Sequence, residues 1–301
     1  MDGLAATWEL LDSSHATSLI TEVAGLKPKV WLRTASEGEW LFKAHRPGTH
    51  ESVAEVYAAS LAALIRLPSA EYRLASWNSQ AGCASRKFEG IQPGKQLLSS
   101  ADASYKVDGR FSNEDHTIEL VADVLSKLSA GAGASATFAD ARGMFLGYLM
   151  FDAWIANTDR HHENWGYIEI AGVRALAPTY DHGSAFAWRE SDEKLLGRLT
   201  TKDVGFSIAH HLSRSMSALY TTQRSGACEQ LSLLEAVACF ARQCEPSDVA
   251  SWHCLFSGIN MAAVSPIVNS APASQVSETR KKWVVELLRI NLERVLKAVK
   301  A

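Results

Sequence analysis

Residues 151–186 read FDAWIANTDRHHENWGYIEIAGVRALAPTYDHGSAF, and the order of their chemistry decides how the chain folds around a site. The apolar helical text MFLGYLMFDAWIA ends near Asn157. Asp159, Arg160, His161, His162, Glu163 and Asn164 then follow without one apolar residue, which makes a loop rather than a core segment. Trp165 to Ile170 and Val173 to Ala177 flank Ala171-Gly172, the pattern of a tight β-hairpin. A hairpin returns the chain to its starting end, so Asn164 at its entry and Asp181 past its exit are expected to lie close together. The pattern therefore predicts that the oxygen-bearing side chains of Asp159, Asn164 and Asp181 converge.

Phosphoryl transfer needs such a place, because the protein has little covalent work to do beyond setting hard oxygen ligands around magnesium and an acceptor for the nucleophile's proton. An aspartate at position 159 can orient or deprotonate the attacking hydroxyl, and an asparagine five residues on can reach a metal between phosphates. Asp181, followed by His182-Gly183, is the expected second and stronger metal ligand, with Gly183 permitting the turn behind it. His161, His162 and His182 near two carboxylates also suggest a metal group. The competing expectation is that His161 packs and hydrogen-bonds to hold the loop while His162 faces solvent, since magnesium favours oxygen.

Outward from this stretch, Lys29 to Arg33 and Glu39 to Ala44 read as strands joined by Ser36-Glu37-Gly38. Thr49 is the expected cap of a helix whose apolar positions Val53, Val56, Tyr57, Leu61, Leu64 and Ile65 run until Pro68. Glu71 to Phe88 suits another hairpin, and Gly90 to Gly94 is turn chemistry marking a boundary. Residues 1–92 then form a small strand-rich lobe and 93–301 a helical one. Helices are predicted at 115–129, 140–157, 229–243, 246–257 and 278–299, the last with Lys281 and Lys282 on a solvated face. Trp188 to Gly226 is expected to border the acceptor site.

The 301 residues carry a formal net charge of −3, so no global positive field exists to hold nucleic acid or an anionic membrane. Five scattered cysteines without a C-x-x-C pair suit a reducing, cytoplasmic compartment. No run of eighteen apolar residues and no basic-then-apolar start occurs, so neither a membrane span nor a signal peptide is expected. Ser13, Ser14, Thr17 and Ser18 cluster ahead of Gly25, where phosphorylation would oppose a neighbouring phosphate site.

The string NTDRHHENWG followed by LAPTYDHGSAF resembles the catalytic and metal-binding loops of the HipA-like serine/threonine kinases, above all their short CtkA-type members. Asp-x-x-x-x-Asn is also the spacing of eukaryotic protein kinases, and Asp-Arg-His-x-x-Asn resembles the phosphatidylinositol kinases. The resemblance implies an α+β, bilobal protein-kinase-like fold with ATP and Mg2+ as cofactors. It implies Asp159 as catalytic base, Asn164 and Asp181 as magnesium ligands, and Lys43 as the contact to the α and β phosphates. Glu55 would hold Lys43, with Glu51 as the fallback. Gly25-Leu26-Lys27-Pro28-Lys29 resembles the family's phosphate-gripping loop, and Ser85 to Glu89, with Lys87 and Phe88, falls where the interlobe hinge offers backbone groups to adenine.

The implied function is a protein serine/threonine kinase capable of autophosphorylation, with a Ser/Thr-bearing protein substrate and an antitoxin or adaptor as partner. The alternatives are a kinase of small molecules or lipids on the same fold, and a nucleotide-binding pseudokinase. Degenerate members lose the base or a metal ligand, whereas Lys43, Asp159, Asn164 and Asp181 are all present. By this resemblance the additional N-terminal subdomain of full-length HipA is not expected here, nor is regulation seated there. Export as an effector without a signal peptide is the second location compatible with this resemblance.

Overall fold

The computed structural model describes residues 8, 10, 11, 13, 16–22, 29–35, 37–102, 105, 114–131, 137–223 and 226–299. Five antiparallel strands form the N-terminal sheet: β1 (Thr17–Glu22), β2 (Lys29–Thr34), β3 (Gly38–Ala44), β4 (Tyr72–Trp77) and β5 (Gln80–Arg86). Their order is β1-β2-β3-β5-β4. The β4–β5 hairpin turns at Asn78 and Ser79, both with positive φ, the backbone sense that matches the strands' own twist. Helix α1 (Glu51–Leu64) crosses between β3 and β4 and packs Val53, Val56, Tyr57 and Leu61 inward. Its N-cap is His50, without a side-chain cap, rather than Thr49, whose hydroxyl donates to the Arg46 carbonyl instead.

After Lys87 to Gly90 the chain enters β6 (Ile91–Pro93), which pairs with β7 (Gly166–Ile170) of the second region, and β7 pairs with β8 (Val173–Leu176). Gly94 opens α2 (Gly94–Ala101) where text of turn character was expected; a Cβ there would strike the Trp165 indole at 2.5 Å, so only glycine admits this approach. The predicted hairpin between β7 and β8 forms with Ala171 and Gly172 at positive φ.

The second region is helical: α3 (Ile118–Leu125), α4 (Ala141–Ile155), α5 (Asp192–Thr200), α6 (Ile208–Ser213), α7 (Leu233–Ala241), α8 (Pro246–Ser257), α9 (Met261–Asn269) and α10 (Glu278–Ala298). Helix α4 is buried nearly all round, which explains its continuous apolar text. The helix predicted over 229–243 is split. Residues 228–232 form β10 (Cys228–Ser232) against β9 (Met216–Thr222), and the helix starts only where Ser232 and Glu235 build a capping box. Lys281 is buried against Glu278 rather than solvated, and Arg280 is buried where it reaches the Glu190 carbonyl and Asp192. No helix among the described residues is long and apolar enough to cross a membrane.

Candidate active site

Helix α4 stops at Ala156, whose φ of 56° turns the chain out of the helix into the polar loop. The loop is fastened from behind by Arg160, which is 2 % exposed. Its guanidinium donates to both oxygens of Asp152 on α4 at 2.8 Å, to the Tyr180 carbonyl at 2.8 Å, and to the Asn164 carbonyl. Asn157 adds a 2.8 Å bond to the same carboxylate. Burial works against the charge on Arg160, and the adjacent Asp152 outweighs it, holding the guanidinium above its ordinary pKa. One buried cation thereby ties the helix, the loop and the segment preceding Asp181 together. Its position within Asp-Arg-His was the only sequence signal for this clamp.

In front of the clamp lies a cleft of about 720 Å³ between the two regions. Asp159, Asn164 and Asp181 all line it, together with Lys43, Glu55 and Lys29. Lys43 Nζ stands 3.0 Å from Asp181 Oδ2 and 3.8 Å from Glu55 Oε1. Glu55 Oε2 accepts the His182 N–H at 2.7 Å, so the α1 carboxylate is bolted to the backbone beside Asp181. The Asp181 N–H donates to the Tyr72 hydroxyl at 3.1 Å. The Asn164 side-chain amide donates to the Asp159 carbonyl at 2.7 Å, closing the loop upon itself, and the Ser184 hydroxyl donates to Asp159 Oδ2 at 3.3 Å.

The electrostatics separate the carboxylates. Burial acts to raise Asp181, but the charge of Lys43, then that of Lys29, overcomes it and holds the group well below the usual carboxylate range. Glu55 competes for the same cation from farther away; burial lifts it to about 8, only partly opposed by Lys43. Lys43 stays charged despite burial because Asp181 leads the groups that favour its protonated form. Asp159 is pushed up to about 6 by burial and by the nearby Asp181 charge. Register puts Lys29 directly opposite Lys43 on neighbouring strands. Like charges so placed repel, and an arrangement of this kind is suited to a polyanion.

Magnesium fits this donor set. Asp181 offers an ionised carboxylate and Asn164 an amide oxygen on one cleft, and the described residues contain no group of three histidine, cysteine or acidic side chains that would make a closed protein cage. Magnesium is ordinarily held by one or two such ligands with phosphate and water completing its sphere.

A family model described as the HipA-like C-terminal domain matches residues 21–243. The chain belongs to the HipA-like family. Among solved structures, the Helicobacter pylori proinflammatory kinase CtkA matches with a TM-score of 0.70 at 16 % identity, covering 94 % of this chain and 96 % of that one. HipA of Shewanella oneidensis, solved with HipB and operator DNA, matches with a TM-score of 0.57 at 13 % identity, covering 92 % of this chain and 64 % of HipA. No curated protein matches in sequence. The family and these neighbours establish the bilobal kinase-like fold that the loop motifs implied.

Within this HipA-like chain, several expectations need revision. The residue of the Asp181-His182-Gly183 turn that adopts positive φ is Asp181 itself, at 60°, not Gly183. Gly183 instead lies close to α1, where an added Cβ would sit 3.4 Å from Glu51 Cβ. His162 is buried and bonded to the Tyr105 hydroxyl at 3.0 Å, so it does not face solvent. His161 is buried too, as expected; desolvation lowers it to about 4, and its Nδ1 accepts the Glu163 N–H. Glu51 accepts the Arg46 N–H at 2.7 Å, while Glu55 is the carboxylate nearer Lys43. Lys87 lies off the cleft wall, bonded to Glu39 at 2.6 Å and over the Trp31 ring; Phe88 packs against the cluster around Tyr72 and Cys83. Gly25 lies outside the described residues, as does Ser14. Ser13 is buried with its hydroxyl on the Ser76 carbonyl, a poor position for modification.

Proposed function

We propose that this chain is an ATP- and magnesium-dependent protein serine/threonine kinase that also phosphorylates itself. The observation that carries the reading is the convergence of Asp159, Asn164 and Asp181 on a single cleft whose facing wall carries Lys43 and Lys29. Bound ATP would supply the phosphoryl group, with magnesium neutralising charge on its oxygens. Asp181 and Asn164 would hold the metal. Lys43, steadied by Glu55, would pair with phosphate oxygens, with Lys29 beside it and Gly25 contributing to the phosphate loop. Asp159 would accept the hydroxyl proton of the incoming serine or threonine; its elevated pKa brings it near the range in which a base works at neutral pH.

HipA's solved complex includes HipB, and an antitoxin-like protein or adaptor is the partner class this reading carries to the present chain. The test is transfer of radiolabel from ATP, with and without magnesium, to the chain itself and to protein, lipid and sugar pools. Label on the chain and on protein serine or threonine is expected only with magnesium. Transfer confined to lipid or sugar would replace the protein-kinase assignment, and undiminished transfer by both Asp159→Asn and Asp181→Asn would sink the catalytic one.

A further inference from the structure

At the outer side of the cleft, Arg46 follows β3, and Trp188 and Arg189 follow the metal-binding loop. All three line the cleft with Asp159 and Ser184. The Trp188 indole is buried, and its carbonyl accepts the His50 N–H at 3.2 Å, which fixes it to the start of α1. Both guanidiniums lie over this one ring, Arg189 at 4.4 Å and Arg46 at 5.5 Å from its centroid. Stacking holds an arginine by its face and leaves its N–H donors at the edge available for planar acceptors. Among the described residues neither guanidinium has a carboxylate within ion-pair distance.

The acidic side chains nearby are engaged elsewhere. Glu51 takes the Arg46 backbone N–H, Glu163 is paired with Lys95, and Glu190 with Lys194. Arg189 also acts electrostatically on Asp159, whose carboxyl lines the same cleft as both arginines. In a chain of net charge −3, two guanidiniums without a carboxylate partner are thus held against one ring of the cleft lining.

We infer that Arg46, Trp188 and Arg189 form an anion subsite that selects acceptor segments carrying a carboxylate side chain next to the phosphorylated serine or threonine. The inference rests on the kinase reading for the identity of the acceptor and deepens it by naming the acceptor's chemistry. Guanidiniums whose donors no carboxylate takes suit a carboxylate through charge-assisted bonds, bidentate where one fork meets both oxygens. Such bonds to a charged group are worth about tenfold or more in affinity.

The experiment compares two fluorescent serine peptides, identical except for Glu or Gln flanking the serine, binding to the full chain at low salt. The acidic peptide is expected to bind at least about tenfold more tightly, with the advantage shrinking as salt screens it. In Arg46→Gln/Arg189→Gln the ratio should fall toward one, and Arg46→Lys/Arg189→Lys should restore part of it. Equal binding by the unaltered chain, or a ratio undiminished in the glutamine variant, overturns the subsite. If the double variant unfolds on thermal melting, Arg189→Gln alone, at an exposed position, must still lower the ratio. Binding is read without turnover, so the two readings fail separately. Discrimination without radiolabel transfer upholds the subsite and removes the kinase, and transfer without discrimination does the reverse.

Discussion

Two ionic groups stand back to back across the polar loop that follows α4, and they are built differently. Behind the loop, Arg160 and Asp152 are each about 2 % exposed, meet in two 2.8 Å bonds and spend the remaining donors on two backbone carbonyls. In front of it, Lys43 is shared by two carboxylates, tightly by Asp181 and loosely by Glu55, with Lys29 across the strand pair. The rear group is closed and satisfied, as a buried pair must be to offset its desolvation. The front group leaves Glu55 with a raised pKa and Lys43 beside a second lysine, charges that a ligand can rearrange. Saturation marks the part that supports; incomplete pairing marks the part that acts.

The largest effect expected from breaking this contrast is on the front side. Asp159→Asn should lower phosphate transfer by roughly 10²- to 10⁴-fold, the range of a general base, with no fall in the denaturation midpoint. A parallel fall in stability would show that Asp159 belongs with the supporting group. On the rear side, Arg160→Met leaves Asp152 buried without its cation and should cost about 3–5 kcal/mol in urea unfolding, with activity lost through the fold. A loss below about 1 kcal/mol would mean the rear clamp is not structural.

Glu55→Gln sharpens the comparison through pH. A carboxyl at about 8 when folded and 4.5 when free binds more protons in the native state between those values, so its contribution to stability declines as pH rises from 4.5 to 8. The glutamine variant should therefore gain on the parent protein across that window, by an amount on the order of a few kcal/mol at most, and stay level above it. Its transfer activity should fall most above about pH 8, where the parent's Glu55 is ionised and pairs with Lys43. Parallel stability profiles would place Glu55 at an ordinary pKa. Along the same lines, Asp159 should titrate near 6 by carboxyl NMR and move downward in Asp181→Asn, because burial raises it first and the Asp181 charge next. The smallest effect serves as control. Lys127 and Asp123 form an exposed pair four residues apart on the surface, and Lys127→Ala should change unfolding by less than about 0.5 kcal/mol.

The legibility of the sequence follows the same division. The hairpin at Ala171-Gly172, the polar loop and the single lysine of β3 were readable because each depends on local backbone chemistry or on charge isolated in apolar text. The helix expected at 229–243 begins only at Leu233, because residues 228–232 form a hairpin with β9, the strand just before them, a local pairing that helical spacing further on masks. The position of His162 has a long-range cause instead: it is bonded to Tyr105, fifty-seven positions away. The stack of Arg46 and Arg189 on Trp188 joins segments from both regions, and neither arginine is distinctive in its own stretch.

What the sequence by itself determined was the set of reactive groups and the short-range turns that aim them, since hairpin and loop conformations follow from a few neighbouring residues. Only the tertiary structure decided which of those groups keep their charge. Asp181, Glu55 and Asp159 are all carboxyls in the sequence, and their ionisation differs because burial and distance from Lys43 differ, quantities that exist only once the two regions close around the cleft.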